Sequence, residues 1–417
     1  MREQGKFVKK HILYIAFHFP PIQISSGVHR TLAFTRYFAE QGDDVAVLTV
    51  STKAYKQSDD KNLSLIPSAI KVIRCFARDT AFHFSFKNKY FSWMALPDRW
   101  QSWILGGVFR GLLQIRKQRP DVLISTYPIA SAHFIAYFLY KLTGVPWIAD
   151  FRDPMLQDDY PSNPRLRKLF SWIEKKAAKH CKHIIFTSPG ALQLYKQRYP
   201  EVAENVWQVL PNGYDETLFA MANNVQPVKT DTRVKLLHSG TIYPSERDPV
   251  PFFNAIATLK KHHSQLSKKL HVVLRNTGHD ALFKPMLQQL AIEDVITLAP
   301  ALNYVEALEE MLSADALLLM QASNCNYQTP AKAYEYIRAK KPILALTDAA
   351  GDTAHLIMQS RVAELAALDD TTKISIAISN LLDNLKNSQY RYLSNEKIIT
   401  FSRTHQAERF RQLILQL

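Results

Sequence analysis

Short apolar runs alternate with amphipathic segments of helix length along almost the whole sequence. This alternation is typical of a parallel β-sheet that is covered by helices on both faces. The runs that we predict to be strands are residues 12–17, 44–50, 72–75, 122–126, 147–150, 184–187, 207–211, 235–239, 271–275, 295–298, 316–320 and 343–346. The predicted fold class is therefore α/β, with doubly wound parallel sheets.

The alternation stops once and then restarts, which divides the chain. Residues 220–232 are short, polar and contain Pro227, so they have the composition of a linker. We predict a first domain over residues 1–219 and a second over residues 233–395, facing each other across a cleft. In doubly wound sheets, ligands bind beyond the carboxyl ends of the strands, so residues directly after each strand are the functional candidates.

Composition indicates a soluble protein with an acidic partner. Of the 417 residues, 47% are hydrophobic, and no apolar run approaches the about 20 residues of a membrane-spanning helix. The three widely spaced cysteines and the lack of a signal-peptide cleavage site predict a reducing, cytoplasmic location. The net charge of +15 suits nucleic acid, anionic lipid or sugar-nucleotide phosphates, and also a merely solvated basic surface.

Residues 326–347 read as a loop, a short helix, a tight turn and a buried strand. Thr329 is placed to cap the helix and Pro330 suits its first position. The free backbone N–H groups that follow, with the ammonium of Lys332, form an expected phosphate site. Glu335 lies one turn further, where a carboxylate can accept two hydrogen bonds from a sugar diol. The same residues also fit an ordinary capped helix packed on a sheet.

The first strand of the second domain ends in another candidate site. Gly240 allows close approach of a ligand to the backbone, and Asp248 with Pro249 is predicted to cap the next helix. Arg247 lies just before that helix, where a guanidinium can hold a diphosphate with two hydrogen bonds. An exposed surface arginine is equally consistent with this position.

The first domain carries polar residues after two of its strands. Gly27 opens a helix after the first strand, and the basic His29 and Arg30 in its first turn oppose the helix dipole, which favours a functional reason for them. Asp150, Arg152 and Asp153 follow the fifth strand, where they can position hydroxyl groups or simply pair with each other.

No signal for a bound metal or dinucleotide cofactor is present. The histidines lack paired ligand spacing, and neither G-x-G-x-x-G nor G-x-S-x-G occurs. We therefore expect no metal site and no cofactor.

Residues 82–117 combine aromatic and basic side chains. This composition suits the surface of an anionic membrane, single-stranded nucleic acid, or a domain core filled by the aromatics. The aromatic residues are Phe82, Phe84, Phe86, Tyr90, Phe91, Trp93, Trp100, Trp103 and Phe109.

A family resemblance rests on seven segments and their order. They are PPIQISSGVHRTLAFTRYFAEQGDDVAVLTV, PDVLISTYP, VPWIADFRDPM, VLPNGYD, HSGTIYPSERDP, ADALLLM and YQTPAKAYEYIRAKKPILALT. By these segments the chain resembles the GT-B glycosyltransferases of the family 4 type over nearly its whole length. The resemblance implies two Rossmann-like domains and transfer of a sugar from a nucleotide diphosphate to an acceptor hydroxyl, with retention and without a metal. It also implies that a C-terminal helix, residues 396–417, crosses back to the first domain.

The resemblance further implies roles for single residues. Glu335 matches the later glutamate of the family's E-x7-E pattern, which holds the ribose hydroxyls. Two positions depart from the pattern: Tyr327 replaces the earlier glutamate, and Thr241 replaces a basic residue after the glycine of the second domain. The implied catalytic residues are Arg247, Lys332, Asp150 and Asp153. The implied donor-nucleotide residues are Gly240, Thr241, Arg247, Thr329, Lys332 and Glu335, and those of the donor sugar or acceptor side are Gly27, His29, Arg152 and Tyr327.

The expected partners are a nucleotide-diphosphate sugar and a glycan or lipid-linked acceptor, and no nucleic acid. We expect a role in surface polysaccharide or lipid-linked glycan synthesis, at the inner face of a membrane that residues 82–117 contact. Two alternatives stay open: a sugar-nucleotide epimerase or hydrolase on the same fold, and a non-enzymatic basic protein that binds membrane or nucleic acid.

Overall fold

A computed structural model describes residues 9–22, 26–87, 89–158, 160–222 and 232–417. These residues form two compact units, Met1–Pro211 with Arg403–Leu417, and Asn212–Ser402. Each unit contains one fully parallel sheet, so the prediction of two doubly wound α/β domains is confirmed. Among the described helices, none combines the length and apolarity needed to cross a bilayer.

The first unit has seven strands in the order β3-β2-β1-β4-β5-β6-β7. The order changes direction between β1 and β4, which makes this pair the switch point of the sheet. Its elements are β1 (His11–Ile15), α1 (Ser26–Glu40), β2 (Asp44–Val50), β3 (Lys71–Cys75), α2 (Thr80–His83), α3 (Ser102–Lys117), β4 (Val122–Thr126), α4 (Ser131–Thr143), β5 (Trp147–Arg152), α5 (Pro164–His180), β6 (His183–Phe186), α6 (Pro189–Arg198) and β7 (Trp207–Val209).

The second unit has six strands in the order β10-β9-β8-β11-β12-β13, with its switch point between β8 and β11. Its elements are α7 (Glu216–Ala222), β8 (Val234–Ser239), α8 (Val250–His262), α9 (Ser264–Ser267), β9 (Leu270–Arg275), α10 (Asp280–Gln289), β10 (Ile296–Ala299), α11 (Tyr304–Ser313), β11 (Ala316–Met320), α12 (Ala331–Ala339), β12 (Ile343–Leu346), α13 (Asp352–Gln359), β13 (Ala363–Ala366), α14 (Thr371–Lys386) and α15 (Asn395–Ile399). The chain ends with α16 (Arg403–Leu415).

Both sheets are buried on both faces, which explains the continuous apolar runs. On β1, Leu13 and Ile15 belong to one apolar cluster while Ile12 and Tyr14 belong to another. Alternate residues of a strand point to opposite faces, so a strand covered on both sides must be apolar throughout.

Helix α16 packs against α1 in the first unit. The Phe410 ring contacts the rings of Phe34 and Phe38 edge-on, at centroid distances of 5.2 and 5.5 Å. Arg411 adds a two-pronged ion pair with the buried Asp43, at 2.7 and 3.0 Å. These contacts place the end of the chain with the first sheet rather than the second.

Glycines allow α3 and α4 to pack closely. A Cβ on Gly107 would lie 2.5 Å from Cδ1 of Ile135, and one on Gly111 would lie 2.6 Å from Cδ1 of Leu139, so a larger residue at either position would push a side chain of α4 aside. The close approach fixes which side of α3 is buried and leaves the other side exposed.

The linker prediction is wrong where the structure describes it. Residues 220–222 form the last turn of α7, and residues 223–231 lie outside the described part. Residues 212–222 group with the second unit because Tyr214 and Phe219 pack into its core, and the Tyr214 amide donates to Phe401 O.

Candidate active site

A cluster of polar residues lies at the switch point of the second sheet. Strand β8 ends at Ser239, and Gly240 follows with φ of +121°, a value that favours glycine. Helix α12, which follows the neighbouring strand β11, brings Lys332 to the same place. The Lys332 ammonium donates to Ser239 O at 2.7 Å, and a Cβ on Gly240 would lie 3.0 Å from Lys332 Nζ.

Arg247 supplies a second cation to this cluster. Its Nη1 donates to Thr241 O at 2.6 Å, and its guanidinium lies over the Tyr243 ring at 5.5 Å. Thr241 therefore contributes its backbone carbonyl to the site by orienting Arg247. The structure brings together Gly240, Thr241, Arg247 and Lys332.

Burial and like charges both act on the titratable groups of this cluster. Burial, followed by the charge of Arg247, lowers the pKa of Lys332 to about 7, while Glu335 opposes this shift. Burial and the nearby Lys332 ammonium hold the pKa of His238 well below its usual value, so its imidazole is neutral. An anion beside Lys332 and Arg247 would relieve their repulsion.

Glu335 lies on the buried face of the same helix, with 9% of its surface exposed. It accepts a hydrogen bond from the Tyr304 hydroxyl, which opens α11. The carboxylate is therefore held by a partner that sequence reasoning missed. Tyr304 directly follows the loop after β10, so the rule on strand ends could have pointed to it.

The predicted cap of α12 is wrong. Pro330, with extended backbone, occupies the N-cap position, and no side chain caps the helix. Thr329 is buried, and its carbonyl accepts a hydrogen bond from Asn212 Nδ2 at 3.2 Å. Helix α8 was predicted to be capped by Asp248 and Pro249. Pro249 occupies its N-cap position, and Asp248 accepts a hydrogen bond from the Val250 amide at 3.0 Å.

Tyr327 differs from the other donor-side residues because it is exposed. It precedes α12 in a loop whose buried members are Cys325 and Thr329. The Tyr327 side chain is accessible to a ligand, whereas the Thr329 side chain is buried.

In the first unit, Asp150 is committed to an ion pair. Arg30 donates from Nε and Nη2 to the two carboxylate oxygens, at 3.1 and 3.0 Å, and Thr126 Oγ1 adds a third bond at 3.0 Å. Asp150 has no exposed surface. Of the two alternatives for this motif, mutual pairing does not hold for Asp150, because its partner is Arg30 of α1 and not Arg152.

Arg152 and Asp153 lie at the carboxyl end of β5. Asp153 accepts from Thr187 Oγ1 at 3.2 Å, and burial raises the pKa of its carboxyl group. Arg152 lies against the first turn of α1, since a Cβ on Gly27 would be 3.1 Å from Arg152 Nη1. His18, three residues after the end of β1, lies against the same glycine and was missed by the sequence analysis.

His29 lies apart from this group. Burial, followed by the charges of Arg403 and Arg36, lowers the pKa of His29 to about 3. Its imidazole is therefore neutral at physiological pH and does not oppose the dipole of α1, contrary to the sequence argument.

An exposed aromatic surface covers part of the first unit. Phe82, Phe86, Phe91, Trp93 and Phe109 are all more than half exposed, whereas Trp103 is fully buried and Trp100 half-buried. On α3, Leu105 and Leu113 flank Phe109 at four-residue spacing, so they extend one exposed apolar stripe. The core-filling alternative is wrong for most of these aromatics.

Residues 27–213 match the model of a glycosyl transferase 4-like domain. A search of curated protein sequences gave no significant match.

Solved structures resemble the whole chain at low sequence identity. Sucrose-phosphate synthase from Thermosynechococcus elongatus has a TM-score of 0.69 and 15% identity, covering 98% of this chain and 99% of its own. HepE from Anabaena, in complex with UDP and glucose, has a TM-score of 0.67 and 11% identity, covering 98% and 100%. A putative UDP-N-acetylglucosamine 2-epimerase from Listeria monocytogenes has a TM-score of 0.60 and 11% identity, covering 98% and 96%.

The structural neighbours establish the two-domain GT-B fold over the full length. The family match covers residues 27–213, and over that stretch the chain resembles a glycosyl transferase 4-like domain.

Proposed function

We propose that the protein transfers a sugar from a nucleotide-diphosphate donor to an acceptor hydroxyl, with retention at the anomeric carbon. The observation that carries this proposal is the cluster of Lys332, Arg247, Gly240 and Glu335 at the carboxyl end of β8. Two cations beside open backbone suit a diphosphate, and a buried carboxylate one turn away suits a ribose diol. The neighbour HepE, which was solved with UDP and glucose, supports this assignment.

The proposed chemistry uses the protein's own cations. A departing nucleotide diphosphate carries developing negative charge, and Lys332, Arg247 and the N-terminus of α12 stabilise that charge. We assign no metal and no cofactor to this step. The donor sugar passes through an oxocarbenium-like state while the acceptor hydroxyl attacks from the face that the diphosphate leaves.

Asp153 is the remaining carboxylate candidate on the acceptor side. Asp150 uses both oxygens in its pair with Arg30, so it acts by holding the fold rather than by contacting substrate. Burial raises the pKa of Asp153, which suits a group that exchanges a proton with an acceptor hydroxyl. Tyr327 and Thr241, which replace the family's usual residues, are assigned to the donor side.

Calorimetric titration of UDP, GDP and ADP tests the donor site. One nucleotide should bind, and Glu335→Ala should weaken its affinity roughly 10- to 100-fold through loss of charge-assisted hydrogen bonds. Glu293→Ala, which removes an exposed glutamate of the same unit, is the matched control and should bind as the wild type does. If no nucleotide binds to folded wild-type protein, the donor-site proposal is wrong.

Epimerisation of the donor is the competing reaction, because the putative epimerase from Listeria shares the fold. The discriminating measurement incubates the protein with the UDP-sugars of glucose and N-acetylglucosamine, with and without glycan acceptors. Transferase activity releases UDP only with an acceptor, whereas an epimerase changes the sugar without releasing UDP.

We assign the acceptor to surface polysaccharide or lipid-linked glycan synthesis at the inner face of a membrane, on the basis of the exposed aromatic surface. Residues 76–117 contain seven basic residues and two acidic ones. Asp79 is buried in an ion pair with Arg99, and Asp98 bonds to backbone amides. The exposed charge is therefore positive, which suits an anionic bilayer that receives the exposed rings.

Vesicle sedimentation at low salt tests this contact. Phosphatidylglycerol vesicles should bind the protein, and phosphatidylcholine vesicles should bind it less. The double variant Phe91→Ala/Trp93→Ala should release the protein, whereas Ile376→Ala, which removes an exposed apolar side chain of α14, should not. If both variants bind the vesicles equally well, the aromatic surface does not contact the membrane.

A further inference from the structure

Arg152 is held in an unusual backbone conformation at the carboxyl end of β5. Its φ is +62°, a region that side-chain-bearing residues rarely adopt. The Thr187 amide and hydroxyl donate to the Arg152 carbonyl at 2.8 and 2.9 Å, so the neighbouring strand fixes this conformation. The fixed backbone holds Arg152 in a buried position, with only 8% of the residue exposed.

The guanidinium of Arg152 is only partly satisfied. Nη1 donates to Tyr127 O at 3.3 Å. Nε is fully buried, and within the described residues it has no hydrogen-bond partner. A buried charged donor without a partner is costly, and the edge formed by Nε and Nη2 is one that binds two oxygens of a carboxylate or phosphate.

This guanidinium lies against the N-terminus of α1, a helix of 15 residues. Arg152 Nη1 would be 3.1 Å from a Cβ on Gly27, so the absence of a side chain there leaves room for the arginine. The first turn of α1 contains no acidic residue. The positive end of the helix dipole and the guanidinium therefore favour the same ligand charge.

The nearby carboxylates do not bind the Nε and Nη2 edge of Arg152. Asp150 is bound by Arg30 and Thr126. Asp153 influences the pKa of Arg152, but its hydrogen bond goes to Thr187. His18, on the other side of Gly27, is neutral, since burial and the Arg152 charge lower its pKa to about 4.

We infer that Arg152 and the first turn of α1 bind an anionic group, a phosphate or a carboxylate, that the acceptor substrate carries. The inference rests on the proposed transferase function, and it adds the substrate class of the acceptor. The donor diphosphate has its own two cations, Lys332 and Arg247, within the second unit. A second anion site in the first unit therefore serves a different anion.

The test first saturates the protein with the nucleotide that binds most tightly, so that the donor site is occupied. Methyl phosphate, farnesyl phosphate and glucuronate are then titrated separately by calorimetry. We expect one of these anions to bind, and Arg152→Met to weaken its binding at least tenfold. Arg152→Lys should weaken it less, because a lysine keeps the charge but not the planar edge. Arg165→Met, which removes an exposed arginine at the start of α5, should have no effect.

The anion that binds identifies its source: farnesyl phosphate without methyl phosphate indicates a lipid carrier, and glucuronate alone indicates a carboxylated sugar. Nucleotide affinity must stay unchanged in Arg152→Met, and the melting temperature of each variant is measured to confirm folding. Loss of nucleotide affinity in Arg152→Met would overturn the inference, because Arg152 would then serve the donor. Anion binding that is absent or insensitive to both variants would also overturn it, while wild-type nucleotide binding would leave the proposed function intact.

Discussion

Arg30 and Asp150 form a two-pronged ion pair that is almost completely buried, with bonds of 3.1 and 3.0 Å. Arg30 also donates to Leu210 O and Pro211 O at 3.0 Å each. One side chain therefore joins α1 to β5 and to the segment after β7. Arg30 lies three residues after Gly27 and Asp150 lies two residues before Arg152, so the pair anchors the backbone close to both residues.

Breaking this pair should destabilise the first unit. We expect Asp150→Asn to lower the free energy of unfolding by about 3–5 kcal/mol, because Arg30 would keep a buried charge without its counter-ion. Urea unfolding followed by circular dichroism measures the change. Lys196→Met, which removes an exposed pair with Glu204, should cost no more than about 1 kcal/mol. Similar costs for the two variants would contradict the assignment of Asp150 to the fold.

The sequence predicted the strands well because buried parallel strands are continuous apolar runs. It missed β13, Ala363–Ala366, a four-residue strand at the edge of the sheet that contains Glu364 and lacks such a run. It also missed α13, Asp352–Gln359, which spans only about two turns and gives little periodicity.

The candidate site was predictable only in part. The rule on strand ends singled out Gly240 and Arg152, which the structure places at the carboxyl ends of β8 and β5. It could not tell which charges pair, because the partner of Asp150 lies 120 residues away in the chain and Tyr304 lies 31 residues from Glu335. Pairing across such distances depends on the packing of helices on the sheet, which local patterns do not contain.

Nucleotide binding should take up a proton at alkaline pH. The pKa of Lys332 is about 7 in the free protein, so at pH 8 most molecules carry a neutral amine. A bound diphosphate favours the ammonium, and binding above pH 7 must therefore add a proton. Affinity should fall between pH 7 and pH 9, by at most roughly tenfold per pH unit.

Calorimetry in two buffers of different ionisation enthalpy measures this proton uptake directly. Other groups that face Lys332 are Arg247, Glu335 and His238. Lys332→Met should abolish the uptake, and Lys284→Met, an exposed lysine on α10, should preserve it. Uptake that persists in Lys332→Met would assign the proton to another group.

Replacing Gly240 should weaken nucleotide binding. A control variant at Gly42 separates the effect of backbone strain from the effect of displacing Lys332. Gly240→Ala forces a side chain into φ of +121° and places a Cβ 3.0 Å from Lys332 Nζ. Gly42→Ala also has a positive φ, +85°, but its Cβ would meet nothing within 4 Å. Both variants should lose about 1–3 kcal/mol of stability from backbone strain, measured by urea unfolding.

Only Gly240→Ala should weaken nucleotide affinity, by roughly tenfold or more, because the displaced ammonium no longer faces the diphosphate. Calorimetry on both variants checks this. Equal nucleotide affinity in Gly240→Ala and wild type would show that the Lys332 position is not required.

Tyr304 should control how strictly the donor site recognises ribose. Its hydroxyl donates to Glu335, so Tyr304→Phe leaves the carboxylate in place but removes the bond that orients it. We expect the variant to bind the preferred ribonucleotide about fivefold more weakly, a loss near 1 kcal/mol. Binding of the 2′,3′-dideoxynucleotide should hardly change, because that ligand lacks the diol that Glu335 recognises.

The decisive quantity is therefore the ratio of the affinity for the ribonucleotide to the affinity for the 2′,3′-dideoxynucleotide. A general loosening of the second unit would weaken both nucleotides equally and leave the ratio at its wild-type value. Tyr392→Phe, which removes the hydroxyl of a more exposed tyrosine in the same unit, should change neither affinity. A ratio in Tyr304→Phe that equals the wild-type ratio would mean that Tyr304 supports the fold of α11 and does not position Glu335 for the ribose.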